Sequence, residues 1–327
     1  MQKKILFIDL FAGCGGFAKG FCNADFECVA ANEFDHMAAI TYSSNFNHPL
    51  VEGDIKDHNV KIQIYELADG KDIDVVVGGF PCQGFSMSGK RILDDPRNKL
   101  FREFVEVVKR VRPKVVVCEN VMGILSSGKG EVMRQIIEAF AELGYKMDYK
   151  VLNAADYGVP QLRKRVIFIG NRIGVDNIFP KPVLTPDEYI TVKDAIGDLV
   201  GHGHDVALSH LITKSEETTI KRMEELEEGE SLYSGKNGKK KYKETARKLF
   251  WNRPSHTVKR NNGNWAVHPI ENRYLTPREM ARLQTFPDEF DFSYVGKTYQ
   301  YRQIGNAVPP LMAKYIAESV KSMIDGK

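Results

Sequence analysis

Short apolar runs rich in β-branched residues recur through the first half of the chain and constrain its fold more than any other feature. Their length and composition are typical of strands buried in a parallel sheet. Segments with the apolar period of a helix separate several of them. The runs are Lys4 to Leu10, Glu27 to Ala31, Ile73 to Val77, Lys114 to Cys118, Asp148 to Asn153 and Val166 to Gly170. The sequence therefore predicts an α/β fold with a mostly parallel sheet.

Polar residues and glycines follow the first three predicted strands, at the sheet edge where ligands bind in open α/β folds. Phe11-Ala-Gly-Cys-Gly-Gly-Phe17 predicts a glycine turn into a helix, which lets backbone approach a ligand closely. Glu33 follows the second strand, where an acid can bind ribose hydroxyls, and Asp54 follows the third. Each feature alone also fits a plain turn, a helix cap or a solvated charge. Together they favour an adenosine-containing cofactor.

A single cysteine follows the next predicted strand, in the segment Gly78-Gly-Phe-Pro-Cys-Gln-Gly-Phe-Ser86. Cys82 is either a small buried hydrophobe or a nucleophile presented at the sheet edge. Glu119 emerges at the end of the following strand, one unit after Cys82. The net basic segment 84–99 is typical of a loop that closes on phosphates.

Two arginines precede the last predicted strand. Arg163 and Arg165 alternate with apolar residues, so we expect both side chains on one face. Near a carboxylate they indicate a site for a polar or anionic group, and the alternative is a solvated strand edge.

The strand–helix alternation stops after Asn171, where prolines 180, 182 and 186 cluster and blocks of charge begin. A final apolar-periodic helix, Leu311 to Met323, has the character of the α/β core. We therefore predict a discontinuous catalytic and cofactor-binding domain of residues 1–185 and 298–327. Residues 186–297 form a smaller mixed domain and hinge, inserted into it.

Bulk composition narrows the class of protein. The chain has 327 residues, a net charge of +3 and five cysteines without regular spacing. No apolar stretch is long enough to cross a membrane, and a strand-like segment begins almost at Met1. We expect a cytoplasmic protein without a disulfide framework. The histidines lack the spacing of a zinc site, so no metal is predicted.

A thiol, a carboxylate and two arginines beside an adenosine site suggest one particular reaction. The C5 atom of a pyrimidine is a poor nucleophile, but addition of a thiolate at C6 turns it into an enamine-like carbon. A carboxylic acid at N3 lets the ring accept the electrons. Such a ring can then take up an electrophilic methyl group.

The chain resembles the C5-cytosine DNA methyltransferases, especially the short bacterial enzymes of restriction–modification systems. The similarity covers nearly the whole length, and the motifs occur in the family's order. They are Asp9-Leu-Phe-Ala-Gly-Cys-Gly-Gly16, Phe80-Pro-Cys-Gln83, Glu119-Asn-Val121, Gln161-Leu-Arg-Lys-Arg165, Thr257-Val258, Arg273-Tyr-Leu-Thr-Pro-Arg-Glu-Met-Ala-Arg-Leu-Gln284 and Gln303-Ile-Gly-Asn-Ala-Val308.

The resemblance implies a Rossmann-like, S-adenosylmethionine-dependent methyltransferase that acts on a cytosine flipped out of duplex DNA. Its catalytic residues would be Cys82, Glu119, Arg163 and Arg165. Its cofactor contacts would be Asp9, Phe11, Gly13, Gly15, Gly16, Glu33, Phe34, Asp54, Ile55, Pro81, Leu100, Asn306 and Val308. Its DNA contacts would be Ser86, Ser88, Arg97, Gln161, Thr257, Lys259 and Arg260, with Ser88 filling the space that the base leaves. Residues 186–272 would read the DNA sequence.

The implied partners are double-stranded DNA and a restriction endonuclease that cuts the same site. We expect a monomer with no membrane association. Three other interpretations stay open at this point. They are an RNA cytosine methyltransferase on the same scaffold, a DNA-binding protein that has lost catalysis, and a nicotinamide dehydrogenase. The glycine spacing argues against the last.

Overall fold

The structure, a computed structural model, describes residues 4–80, 99–232, 246–260, 263 and 265–326. The strands are β1 Ile5–Leu10, β2 Phe26–Glu33, β3 Leu50–Glu52, β4 Val75–Gly78, β5 Val115–Val121, β6 Lys146–Asn153, β7 Gln161–Leu162, β8 Lys164–Asn171, β9 Arg247–Lys248, β10 Ser255–His256 and β11 Ala266–Val267. The helices are α1 Gly16–Asn23, α2 His36–Asn45, α3 His58–Ala68, α4 Lys99–Val111, α5 Gly123–Ser126, α6 Glu131–Ala141, α7 Val192–Ile196, α8 Glu217–Glu224, α9 Pro277–Leu283, α10 Lys297–Asn306 and α11 Pro310–Asp325.

A seven-stranded sheet organises the first half of the chain, with the strand order β3-β2-β1-β4-β5-β8-β6. β1 to β5 pair in parallel, and β8 lies antiparallel between β5 and β6. The sequence predicted this α/β class with a mostly parallel sheet, and the structure confirms it. Because β1 to β5 are parallel, their carboxyl ends meet along one edge.

The central strands are apolar because helices cover both faces of the sheet. The valines of 75–77 and 115–117 are fully buried. Side-chain caps start several helices: Asp35 accepts from the N–H groups of Met37 and Ala38 at the start of α2. No helix in the described ranges is long and apolar enough to cross a membrane.

The chain divides into two compact units. Unit 1 comprises residues 1–153, 164–181 and 310–327, and unit 2 comprises residues 154–163 and 182–309. The larger unit is therefore built from separate parts of the chain. These bounds differ from the predicted ones, since 154–163, 182–185 and 298–309 group with unit 2. The predicted roles of the domains are not tested by this division and stay predictions.

Within unit 1, the last helix packs against the first. A Cβ atom placed on Gly20 of α1 would lie 2.4 Å from the Ala313 Cβ and 2.6 Å from the Pro310 carbonyl oxygen of α11. Glycine is therefore required for this approach.

Candidate active site

The turn after β1 has the backbone geometry that a close-approaching ligand needs. Phe11, Gly13 and Gly15 have φ angles of 56°, 57° and 98°. A positive φ is uncommon for a bulky residue such as Phe11 and often marks a functional turn. Gly15 is the N-terminal cap of α1, and Gly16 is the first residue of this helix. A Cβ on Gly13 would meet no atom of the described residues within 4 Å.

Glu33 connects this turn to the end of β2. Its carboxylate oxygens accept the N–H of Gly13 at 2.7 Å and the N–H of Asp35 at 2.7 Å. Burial raises the pKa of Glu33, and these backbone N–H groups act in the opposite direction. The predicted acid is thus held against the glycine turn.

Other predicted cofactor residues of unit 1 lie at neighbouring strand ends or at the start of α4. Phe34, next to Glu33, has a ring that is 70% exposed, whereas Ile55 is buried. Asp54 pairs with the Lys56 ammonium at 2.8 Å, and this contact lowers the pKa of Asp54. Leu100 lies in the first turn of α4 and packs against the core of unit 1.

Asp9, a predicted cofactor contact, is a fully buried acid. Its side chain is fully buried on β1, and neither carboxylate oxygen makes a hydrogen bond of normal geometry with the described part of the chain. Burial raises the pKa of Asp9 well above its usual value, and the Glu33 charge adds to this. The Ala18 N–H is close enough to act against both effects. A buried carboxylate with unsatisfied oxygens is suited to a ligand that carries a hydrogen-bond donor or a positive charge.

Glu119 and Arg165 form an ion pair at the carboxyl end of β5. The Arg165 Nε donates to a Glu119 carboxylate oxygen at 2.7 Å, and the side chains are 14% and 13% exposed. Val121, two residues after Glu119, pairs with Arg165 in the β5–β8 ladder. This register brings the side chains of Glu119 and Arg165 to the same edge of the sheet. A Cβ on Gly79 would lie 3.3 Å from the other Glu119 oxygen. The chain that leaves β4 therefore passes directly beside the carboxylate.

Several predicted site residues lie outside the described residues. They are Pro81, Cys82, Ser86, Ser88 and Arg97. Their roles stay predictions, and they follow Phe80 directly in the sequence.

Arg163 is placed differently from Arg165. It precedes β8, is almost fully buried, and donates from its guanidinium to the carbonyl oxygens of Val258, Gly305 and Ala307 at 3.0–3.4 Å. These bonds hold parts of unit 2 together. Arg163 and Arg165 therefore have different partners, and their catalytic roles stay predictions.

Gln161 is fully buried in unit 2. Its amide nitrogen donates to the Gln284 side chain at 2.8 Å, and its amide oxygen accepts the Val258 N–H at 2.7 Å. The polar atoms of the side chain are thus enclosed and hydrogen-bonded within unit 2, and the DNA contact of Gln161 stays a prediction. The sequence did not predict this burial, because the partners of Gln161 lie about 100 positions or more away along the chain.

The other predicted residues of unit 2 are more accessible. The Thr257 hydroxyl donates to the Leu162 carbonyl oxygen at 2.8 Å. Lys259, Arg260 and Asn306 are exposed, and Val308 is buried. Their predicted contacts to DNA or cofactor stay predictions.

A cluster in unit 2 resembles a metal site but is organised as an ion-pair network. His268, Glu271 and Glu279 place their ligand atoms within 4.8 Å of one another. Arg273 pairs with both glutamates. The Nδ1 of His268 accepts the N–H groups of Ile270 and Glu271, which leaves the ring proton on Nε2. A protonated Nε2 is not a metal ligand.

The chain matches a known protein family over most of its length. A family model of the C-5 cytosine-specific DNA methylase matches residues 5–322. The chain belongs to this family. It is 41% identical to the type II methyltransferase M1.HphI of Haemophilus parahaemolyticus over 98% of this chain and 87% of the relative. It is 36% identical to M.DdeI of Desulfomicrobium norvegicum over 96% of this chain and 88% of the relative.

Solved structures agree with the family assignment. A chain described as a DNA modification methyltransferase encoded within an E. coli prophage has a TM-score of 0.78 at 26% identity. The match covers 98% of this chain and 100% of the prophage-encoded chain. DNMT2 of Spodoptera frugiperda has a TM-score of 0.66 at 16% identity over 97% of this chain and shows the shared fold. The protein is thus an enzyme of the DNA (cytosine-5-)-methyltransferase class.

Sequence reasoning missed two buried asparagines of this methylase. Asn32 donates to the carbonyl oxygens of Val51 and Gly53, at 2.9 and 3.0 Å, and so ties the end of β2 to the turn before Asp54. Asn120, within the motif that carries Glu119, bonds to the chain that leaves β4. Asparagine inside a strand-like run is a signal that could have found both, since strands are depleted in it.

Proposed function

We propose that this methylase transfers a methyl group from S-adenosylmethionine to C5 of a cytosine flipped out of a specific duplex DNA sequence. Glu119 carries the proposal, since it is an acid at the carboxyl end of β5, fixed by Arg165 and placed beside the chain that leads to Cys82. Opening the duplex follows from chemistry, because C5 and C6 cannot be attacked in a stacked and paired base.

The glycine turn and its neighbours fit the cofactor. The exposed ring of Phe34 can stack on adenine, and Glu33 can accept ribose hydroxyl donors. Asp9 offers a buried carboxylate to the cationic end of the molecule. When bound, S-adenosylmethionine supplies an electrophilic methyl group.

The chain's own residues then provide the remaining chemistry. The Cys82 thiolate adds to C6 of the cytosine, and Glu119 stabilises the ring at N3 by giving a proton or a hydrogen bond. Arg165 orients the Glu119 carboxylate. C5 gains the methyl group, its own proton then leaves to a base, and expulsion of the Cys82 sulfur restores the aromatic ring.

The relatives that are named type II methyltransferases support a role in restriction–modification. In that role the enzyme would protect host DNA from an endonuclease that cuts the same site. We propose that it works as a monomer and that residues 186–272 read the DNA sequence.

Covalent trapping tests this function. Duplex oligonucleotides that carry 5-fluorocytosine are incubated with the protein and S-adenosylmethionine, over a panel of random sequences. Fluorine at C5 cannot leave as a proton does, so a covalent band should form with some sequences and not with others. Cys82→Ser should bind the cofactor and form no band. Absence of a band on all duplexes, together with a band on transfer RNA, would replace DNA by RNA as the substrate.

A further inference from the structure

Asn120 is a buried residue near the end of β5, and its side chain makes two hydrogen bonds. Its side chain is only 4% exposed. The amide nitrogen donates to the Phe80 carbonyl oxygen at 3.1 Å, and the amide oxygen accepts the Val121 N–H at 2.9 Å. One side chain thus connects the end of β4 to the end of β5.

The position of this contact relative to the sheet is informative. The ladder between β4 and β5 ends at Gly78 and Cys118. Residue 81 is a proline, which has no N–H to continue a ladder. The Asn120 amide holds the chain at Phe80, two residues beyond the last ladder pair.

Two other contacts fix the same stretch of chain. The Phe80 ring is buried and lies 5.0 Å from the Phe101 ring and 5.8 Å from the Phe104 ring of α4, centroid to centroid. Gly79 lies close to the Glu119 carboxylate, since a Cβ atom at this position would be 3.3 Å from a carboxylate oxygen. The backbone is therefore held on one side by its ring and on the other by Asn120, at a fixed distance from Glu119.

We propose that Asn120 is a positioning residue for methyl transfer. It fixes the Phe80 carbonyl against the strand that carries Glu119, and so sets the point from which the segment with Cys82 leaves the sheet. The inference rests on the proposed function, in which Cys82 and Glu119 act on the same ring. Misplacement of reacting groups by about 1 Å costs roughly 100-fold in rate.

Asn120→Asp is the decisive variant. It keeps the shape of the side chain and the acceptor for the Val121 N–H, and it replaces the donor to Phe80 by a carboxylate oxygen. We expect the single-turnover rate of trapping on a 5-fluorocytosine duplex to fall by roughly 10- to 100-fold. The dissociation constants for S-adenosylmethionine and for the duplex should stay within about twofold of the wild type.

Asn171→Asp is the matched control. Asn171 is equally buried and uses its amide in the same way, since Nδ2 donates to the Val175 carbonyl oxygen and Oδ1 accepts the Ile173 N–H. It pairs with Val115 at the opposite end of β5 from Glu119. We expect it to lower the melting temperature without slowing trapping beyond twofold.

The outcomes separate the inference from the function on which it rests. If the wild type forms no covalent band, the proposed function fails. If the wild type is trapped and Asn120→Asp is trapped equally fast, the inference is overturned. A loss of trapping that parallels a loss of cofactor binding would give Asn120 a purely structural role and overturn it as well.

Gly79→Ala provides a second test if Asn120→Asp does not fold. The added methyl group presses on the Glu119 carboxylate from the same stretch of chain. Trapping should slow while cofactor binding is retained. An unchanged trapping rate would show that the position of this chain relative to Glu119 does not matter, which contradicts the inference.

Discussion

At the scale of single residues, Glu119 is largely buried and forms an ion pair with Arg165. Arg165 holds one carboxylate oxygen, and Gly79 borders the other. A glutamine keeps the shape of this side chain but cannot deliver a proton to N3. We expect Glu119→Gln to slow methyl transfer by about 10²- to 10⁴-fold, because general acid catalysis contributes about that much. The measurement is the incorporation of labelled methyl groups into duplex DNA, with cofactor affinity as the internal check.

Glu142→Gln serves as the control for this change, since Glu142 is exposed beyond the end of α6. It should leave the transfer rate unaltered. A fully active Glu119→Gln protein would mean that N3 is stabilised by another group.

Asp9 should couple stability to pH in the cofactor-free protein. Burial and the Glu33 charge raise its pKa in the folded state above the value of 3.8 for an unfolded chain. Between these two pKa values the folded state binds the proton more strongly, so the free energy of unfolding falls as pH rises. Each unit of pKa difference corresponds to about 1.4 kcal/mol. Asp9→Asn should therefore become progressively more stable than the wild type as pH rises through this window.

Urea unfolding of both proteins from about pH 4 to 8 checks this. The same variant should bind S-adenosylmethionine roughly 10- to 100-fold more weakly, since a charge-assisted hydrogen bond is lost. Asp69→Asn, at an exposed position beyond α3, is the control. A constant stability difference across this pH range would show that Asp9 does not titrate as its burial implies.

At the scale of elements, the approach of α1 to α11 depends on Gly20. A methyl group there would meet Ala313 and backbone atoms of Pro310 and Lys314 within 2.4–2.7 Å. The two helix backbones can move apart only at a cost in packing free energy. We therefore expect Gly20→Ala to lower the free energy of unfolding by roughly 1–3 kcal/mol. The gain in helix propensity, at most about 1 kcal/mol, offsets part of this loss.

Gly123→Ala is the matched control, because a methyl group on this exposed first residue of α5 meets no atom of the described part of the chain within 4 Å. It should be neutral or slightly stabilising in the same urea titration. Equal stability of the Gly20→Ala protein would mean that the two helices move apart freely.

The elements also show what the sequence could predict. The buried strands and the residues at their carboxyl ends follow from local pattern, which is why the positions of Glu33 and Glu119 at strand ends were predicted correctly. The enclosure of Gln161 and Arg163 by segments near residues 258, 284 and 305 was not predicted. Contacts between residues more than 90 positions apart leave no periodic trace in the chain. The asparagines that tie strand ends together have partners only 19 to 40 positions away, and their place inside strand-like runs was the signal that was overlooked.

At the scale of the whole molecule, a net charge of only +3 means that DNA affinity must come from the placement of cations. Lys259 and Arg260 are adjacent, exposed and predicted to contact DNA. A protein that neutralises Z phosphates loses affinity with a log–log salt slope of about −0.9Z. We expect Lys259→Ala to weaken binding to all duplexes alike and to reduce the slope by about 1.

Lys71 supplies the matched control for that experiment. It is an exposed lysine of unit 1 just before the amino end of β4, at the opposite end of this strand from the segment that leads to Cys82. Lys71→Ala removes the same charge from the whole molecule and should leave the salt slope unchanged. An equal reduction of the slope in both variants would show that net charge alone governs binding, and an unchanged slope for Lys259→Ala would contradict the predicted phosphate contact. A slope that falls only for Lys259→Ala would place one phosphate contact at this exposed segment of unit 2.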